Sequence, residues 1–165
     1  VSNMFRIGIG EDTHRLAAGR KLILGGVEIP FELGLLGHSD ADALAHAVID
    51  ALLGACALGD IGQHFPDSDE AFRGISSLLL AKEAAARIRA AGFETVNIDS
   101  VITAQKPKLA PFREAMRANL AEALGVPPEN IGVKFTTPEG TGPEGNLECI
   151  TVRAVAAVRK VRIQC

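Results

Sequence analysis

Two residues that could do chemistry stand near the start of the chain, Asp12 and His14 in the stretch GIGEDTHRL (8–16). In extended backbone, side chains at i and i+2 leave the same face, so this carboxylate and imidazole can address one metal ion. Gly8 and Gly10 just ahead of them admit the close approach of a ligand or of another backbone. Farther on, His38, Asp42, His46 and Asp50 recur every fourth residue, one stripe along an otherwise apolar helix. His46 is read as the third metal ligand. Asp50, one turn on, is read as the acceptor of a ligating histidine's other ring N–H. Two histidines and one carboxylate make a tetrahedral zinc site with one open position, the arrangement of a catalytic metal. Such an ion can polarise a phosphoryl oxygen or acidify a water.

Two further segments suit phosphate and nucleoside. VKFTTPEG (133–140) ends a strand with Thr136, Thr137 and Glu139. Hydroxyls and loop N–H groups fit phosphate oxygens, and a carboxylate fits a hard divalent cation that bridges phosphates. AQKPKLAP (104–111) is a basic, proline-stiffened turn leading into a helix N-terminus, which favours anions. Either pattern alone is also that of an ordinary solvated turn. Beside a metal site they become a binding surface.

These groups need elements to position them. Phe5–Gly10 alternates as a short strand, and KLILGGVEIPFE (21–32) reads as two β-rich runs joined at Gly25-Gly26, a hairpin. DADALAHAVIDALLGACAL follows as a helix, with Ser39 as N-cap and Asp40 and Asp42 in its first turn. GDIGQHFPDSD (59–69) reads as a loop. A second helix runs from Ser77 to Ala91 and closes at Gly92, and a third runs from Pro111 to Gly125. ETVNIDSVITAQ, IGVKFTT and ECITVRAVAAVRK are strands. The order βββααβαββ argues for an α+β fold, with helices on one face of a mixed, largely antiparallel sheet. In the last strand Ile150, Val152, Ala154 and Ala156 share one face, and Val155 and Val158 are assigned to the other. A strand apolar on both sides points to a second buried face, against another subunit.

Bulk properties narrow the class. With 165 residues, 47% of them hydrophobic, the chain reads as a single domain (1–165) with its own core, Val1–Asn3 ahead of Met4 being a cloning remnant. A net charge of -3 without a basic cluster leaves no footprint for nucleic acid. Cys56, Cys149 and Cys165 form no CxxC pair and read as free thiols of a reducing, cytoplasmic compartment. No apolar run approaches the ~18 residues of a membrane span, and no signal pattern opens the chain.

Taken together, GIGEDTHRL, LGGVEIP, GLLGHSDADALAHAVIDALLGACALGDIGQHFPDSD, AQKPKLAP and VKFTTPEG resemble the 2-C-methyl-D-erythritol 2,4-cyclodiphosphate synthases of the non-mevalonate (MEP) isoprenoid pathway. Order and spacing match over essentially the whole chain. The resemblance implies a homotrimer of mixed four-stranded sheets lining the interior, helices outside, a short hairpin, and active sites between subunits. It implies zinc on Asp12, His14 and His46, and magnesium or manganese on Glu139 with the substrate diphosphate. His38 and Thr137 correspond to the pair that stabilises the transition state. Asp12, Thr13, His14, His38 and Ser39 correspond to contacts with the substrate, as do Asp60, Ile61 and Gly62. Phe65, Pro66, Asp67, Ser68 and Asp69 correspond to a flexible loop over the methylerythritol end. Ala104, Gln105, Lys106, Pro107, Lys108, Leu109 and Ala110 correspond to the cytosine pocket, and Thr136, Thr137, Pro138 and Glu139 to the diphosphate segment. The implied enzyme is a lyase of terpenoid biosynthesis that releases CMP.

One departure bears on partners. Relatives continue with Phe-Thr-Gly-Arg-Gly-Glu-Gly, whereas this chain has Pro143 and Asn146 where the phenylalanine and arginine fall. An isoprenoid diphosphate site in a central trimer cavity is therefore not expected. Two rival readings remain: a metal-dependent phosphoesterase, for which a Gly-Asn-His is missing, and a non-catalytic trimeric protein that binds cytidine nucleotides.

Overall fold

The computed structural model describes residues 4–66 and 68–161, so Val1–Asn3, Asp67 and Cys165 lie outside the described residues. The elements in chain order are β1 (Phe5–Ala18), β2 (Leu22–Leu24), β3 (Val27–Ile29), β4 (Leu33–Leu35), α1 (Ala43–Ala55), α2 (Ile61–His64), α3 (Ser77–Ala90), β5 (Phe93–Thr103), α4 (Arg113–Leu124), β6 (Ile131–Thr136), α5 (Gly142–Gly145) and β7 (Cys149–Lys160). The α+β expectation holds: a mixed sheet in the order β4-β1-β7-β5-β6 carries helices, with β2 and β3 forming a separate hairpin. Among the described residues only β5 and β6 pair in parallel.

The sheet has five strands among the described residues rather than the four expected. The extra one follows from β1, which does not stop at Gly10 but continues its alternation to Ala18. Its far end pairs Leu16 with Leu35 and so adds β4 at the edge. That extension places Asp12 and His14 inside a strand, in register opposite Val152 and Ile150 of β7. In β7, Ile150, Val152, Ala154, Ala156 and Val158 are all buried. Val158 therefore lies with the inward set, as a strict period of two requires. Opposite that face, Phe5, Ile7, Ile9 and Val155 are 55%, 73%, 71% and 44% exposed.

Helix α1 lies against β1 and β7 and is buried almost throughout. The contact is backbone to backbone. A Cβ on Gly8 would stand 2.1 Å from the Ala51 carbonyl oxygen, and one on Gly10 would stand 2.0 Å from that of Ala47. Only hydrogen fits there. The glycines admit another backbone, one of the two possibilities their position suggested.

The start of α1 differs from expectation. Its N-cap is Asp42, not Ser39. The Asp42 carboxylate accepts from the amides of Ala45 at 3.0 Å, Gly25 at 2.9 Å and Gly26 at 2.7 Å, which ties the β2–β3 turn to the helix. Asp42 is fully buried, and burial pushes its carboxyl above the usual range. It thus leaves the metal stripe and becomes a structural clamp. The stretch GDIGQHFPDSD, read as a loop, contains the short helix α2, capped by Asp60, and a second short helix, α5, lies within GTGPEG. The helices ending near Gly92 and Gly125 close as expected, Gly125 in the left-handed conformation (φ 70°).

The close seating of α1 yields a stability prediction. Gly10→Ala forces strand and helix apart and costs about 3 kcal/mol, an overpacking penalty against backbone. Urea denaturation followed by far-ultraviolet circular dichroism measures it, since the chain has no Trp or Tyr. A loss below the ~1 kcal/mol of an ordinary surface change would show that the contact relaxes freely.

Candidate metal centre and binding cleft

Strand β1 presents Asp12 and His14 on one face, and α1 brings His46 to them. His14 Nε2 lies 2.9 Å from Asp12 Oδ2, His46 Nδ1 lies 3.1 Å from the same oxygen, and the two nitrogens are 3.2 Å apart. In a tetrahedral zinc site with bonds of 2.0–2.1 Å, neighbouring donors stand about 3.3 Å apart. The three donors therefore already form a face of such a tetrahedron. Among the described residues they are the one group of three or more able to hold a metal ion.

Each imidazole is held by its other nitrogen. His14 Nδ1 lies 2.8 Å from the Leu36 carbonyl oxygen, which can only accept, so Nδ1 carries a proton; Nε2 has the lone pair in the neutral imidazole and donates to Asp12 in the imidazolium. Gly37 allows this: a Cβ there would meet His14 Cε1 at 2.9 Å. His46 Nε2 lies 2.8 Å from Ser77 Oγ and 3.2 Å from Ser39 Oγ. Here the reading of Asp50 is corrected. Its Oδ1 accepts from the Ile61 amide at 2.7 Å, which ties α2 to α1, and Ser77 takes the place beside His46. The cause is geometric: His46 turns Nδ1 toward the metal cluster, which sends Nε2 toward α3.

Burial opposes ionisation of Asp12, but hydrogen bonds and charge from His14 and His46 outweigh it and hold the carboxyl down at about 2. Burial likewise disfavours the charged form of His14. The bond to Asp12 and its charge, with the Leu36 carbonyl, overcome it and push the imidazole above its ordinary 6.5.

The cluster lines a cleft of about 280 Å³ together with His38, Ser39, Ile61, Gly62 and Phe65. His38 Nε2 is buried without a hydrogen-bond partner, an orphaned polar atom of the kind a bound ligand satisfies. Phe65 is held edge-on against Phe72, with the Arg87 guanidinium 4.9 Å from its ring centre. Thr13 leaves the opposite face of β1 from Asp12 and His14 and hydrogen-bonds Thr151 at 2.9 Å. Asp60, Pro66, Ser68 and Asp69 are exposed or turn-forming around the mouth, Asp60 and Asp69 each accepting from a backbone amide.

The remaining candidates lie elsewhere. Ala104, Gln105, Pro107, Lys108, Leu109, Ala110, Thr136 and Thr137 line a second cleft of about 420 Å³. Gln105 accepts from the Gly140 amide at 2.9 Å, and Thr137 donates to Glu139 at 2.7 Å. Glu139 has a positive φ of 54° in the turn after Pro138. No lining residue is common to the two clefts. Asp40 and Ser77, which hold His46, were not singled out from sequence. They are 37 positions apart, and no local pattern links them.

Comparisons with known proteins now bear on this geometry. Residues 5–159 match the YgbB family. The 2-C-methyl-D-erythritol 2,4-cyclodiphosphate synthase of Carboxydothermus hydrogenoformans is 59% identical over 158 residues, 96% of this chain and 97% of that protein. The bifunctional enzyme IspD/IspF of Albidiferax ferrireducens is 58% identical over 94% of this chain, which spans only 37% of that longer protein. A solved 2C-methyl-D-erythritol-2,4-cyclodiphosphate synthase in its CDP-bound form superposes with a TM-score of 0.85 at 43% identity, covering 93% of this chain and 99% of that one.

The ionic contacts fix a pH window for the metal-free chain. Asp12, with its lowered pKa, contributes stability above its unfolded value of 3.8 and loses it as pH falls toward about 2. His14, with its raised pKa, contributes fully below 6.5 and loses it as pH rises through its folded value. In the presence of a chelator, Asp12→Asn is therefore most destabilising between about pH 4 and 6.5 and less so on either side. A stability difference that stays flat from pH 4 to 9 would refute the pairing.

Proposed function

The chain belongs to the YgbB family, and on that premise we propose that it performs the ring closure for which its relatives are named. It is an enzyme of isoprenoid precursor synthesis, a phosphorus–oxygen lyase. It converts 4-diphosphocytidyl-2-C-methyl-D-erythritol 2-phosphate to 2-C-methyl-D-erythritol 2,4-cyclodiphosphate and CMP. An oxygen of the 2-phosphate bonds to the β-phosphorus. The bond from that phosphorus to the bridging oxygen breaks, and CMP leaves with the electron pair. The attacking group is already an anion, so no protein nucleophile is needed. The chain's task is to align two mutually repelling phosphates and offset their charge. The observation that carries this reading is the ready-made Asp12–His14–His46 donor triangle in a cleft shared with His38 and Ser39.

The residues divide the task. His38, whose Nε2 lacks a partner, donates to a phosphate oxygen at the reacting centre, and Ser39 holds the methylerythritol phosphate end. Asp60, Ile61, Gly62 and the Phe65–Asp69 loop flank the methylerythritol moiety, and Ala104–Ala110 take the cytosine largely through backbone groups. Thr136 and Thr137 bind the diphosphate, Thr137 acting with His38 on the transition state. Asp12, His14 and His46 would hold zinc. Glu139 would hold magnesium or manganese together with the substrate diphosphate. When bound, these cations supply Lewis-acid neutralisation of phosphate charge. A cytoplasmic setting suits the free, buried Cys56 and Cys149.

One chain does not bring His38 and Thr137 to the same phosphorus. Thr13, Thr151, Thr103 and Thr136 stand in one row across β1, β7, β5 and β6. That row spans three strand spacings, about 14 Å. Two groups acting on one reacting atom must approach within a few ångströms of it. The metal cleft of one copy therefore faces the nucleotide cleft of another, and the exposed face of Phe5, Ile7, Ile9 and Val155 packs against its equivalents in a homotrimer.

Incubation of the chain with the cytidyl diphosphate substrate, zinc and magnesium yields CMP and a cyclic diphosphate by mass spectrometry. Inorganic phosphate in place of CMP would identify a phosphoesterase, and nucleotide returned unchanged a binding protein. His46→Ala loses zinc and nearly all turnover while keeping its circular dichroism spectrum. Full zinc occupancy in that variant would remove His46 from the ligand set. Ile9→Asp gives a lower oligomer by light scattering and abolishes turnover while retaining bound zinc; an active monomer would overturn the shared site.

A further inference from the structure

His46 is held from behind by two residues that belong to neither cleft's expected set. Its Nε2 lies 2.8 Å from Ser77 Oγ, and the Ser77 hydroxyl donates to Asp40 Oδ1 at 2.5 Å. Asp40 Oδ2 also accepts from the Ser77 amide at 2.9 Å, and Oδ1 accepts from the Asp42 amide at 3.2 Å. Ser77 is fully buried. A hydroxyl has one proton. With that proton on a carboxylate that can only accept, the Ser77 oxygen is left as an acceptor toward His46. Nε2 then carries the ring hydrogen of the neutral imidazole, which leaves the lone pair on Nδ1, on the side of Asp12 and His14, where a cation would take it.

We propose that Asp40 and Ser77 are positioning residues for the metal. They form a relay that fixes both the orientation and the tautomer of His46 in the form that can bind a cation. This rests on the reading of Asp12, His14 and His46 as metal ligands. The same pair also joins the site to the fold. Asp40 caps the first turn of α3, whose N-cap Ser76 makes no side-chain bond. The flanking backbone is stitched twice more, Asp40 N to the Ile75 carbonyl at 3.2 Å and Gly74 N to the His38 carbonyl at 3.0 Å. One carboxylate thus locks the segment carrying His38 and Ser39 against the helix that steadies His46. Asn at position 40 cannot replace it. Its NH2 must face either the Ser77 amide, donor against donor, or the Ser77 hydroxyl. The latter turns that hydroxyl's proton onto His46 Nε2 and moves the ring hydrogen to the metal-facing nitrogen.

The test measures zinc affinity by competition with a chromophoric chelator for wild type, Ser77→Ala, Asp40→Asn and Ile88→Ala. The last is a core truncation three turns along α3 that lowers stability without touching the relay. Ser77→Ala and Asp40→Asn should each bind zinc about ten- to hundredfold more weakly, the usual effect of losing a partner behind a ligating histidine. Ile88→Ala should bind as wild type does. In the zinc-loaded wild type, the His46 Nε2–H should give a slowly exchanging proton resonance that is absent from Ser77→Ala. Equal zinc affinity in wild type, Ser77→Ala and Asp40→Asn would overturn the relay while leaving the metal site intact. A wild-type chain that holds no zinc would overturn the metal-site reading and the relay with it.

Discussion

The approach of α1 to β1 is the constraint on which the rest depends. His46 reaches Asp12 and His14 only because helix and strand meet at backbone distance, over glycines whose missing side chains would otherwise occupy the Ala47 and Ala51 carbonyls. A helix seated on side chains packs about 10 Å from a neighbouring layer. Removing the Cβ layer at Gly8 and Gly10 draws the helix in by the thickness of a side chain. The metal donors then converge without unusual reach from any of them. The same contact buries α1 so fully that the polar groups on its flank must be satisfied locally. Asp42 meets three amides and Asp50 meets one, and neither is left for the metal.

This explains which parts of the site were legible in the sequence. Asp12 and His14 share a face in any extended segment, and His46 lies on a helix stripe, so local periodicity singled out three candidate ligands that the fold brings together. The stripe also misled. His38, Asp42 and Asp50 have the same spacing, but α1 begins at Ala43, so His38 is not on the helix and Asp42 is its cap. Whether a polar residue on a helix face is a cap, a tie or a ligand depends on what the next element offers it. That is decided by tertiary contacts, not by period. Asp40 and Ser77 were beyond local reading because each looks like an ordinary helix-start residue. Their joint role exists only once the two helix starts are stitched side by side.

The fold class was legible for similar reasons. Alternating strands grouped at both ends of the chain fix an α+β layer, and Gly92 and Gly125 mark helix ends by their backbone conformation. The fifth strand was not foreseen because β4 is three residues long and has no pattern of its own. It exists because β1 overshoots and offers an edge. Similarly, α2 is a single turn whose stability comes from the Asp60 cap and the tie to Asp50 rather than from any helical period.

The donor triangle also bears on how the proposed division of the site between copies would work. The Leu36 carbonyl behind His14 and the Ser77 hydroxyl behind His46 hold the donors toward one another, the kind of support that keeps a metal ligand in a productive geometry. The donor triangle is thus complete within one copy, and the second cleft of that copy lies about 14 Å away across the sheet. The exposed apolar face of β1 and β7 lies on the opposite side of the same strands that carry Asp12 and His14. In the proposed homotrimer, burying that face against a second copy would bring the two clefts together, so the hydrophobic contact that assembles the oligomer would also complete the site. Chemistry on a reactive diphosphate would then be confined to the assembled form, with water excluded from both sides of the substrate at once.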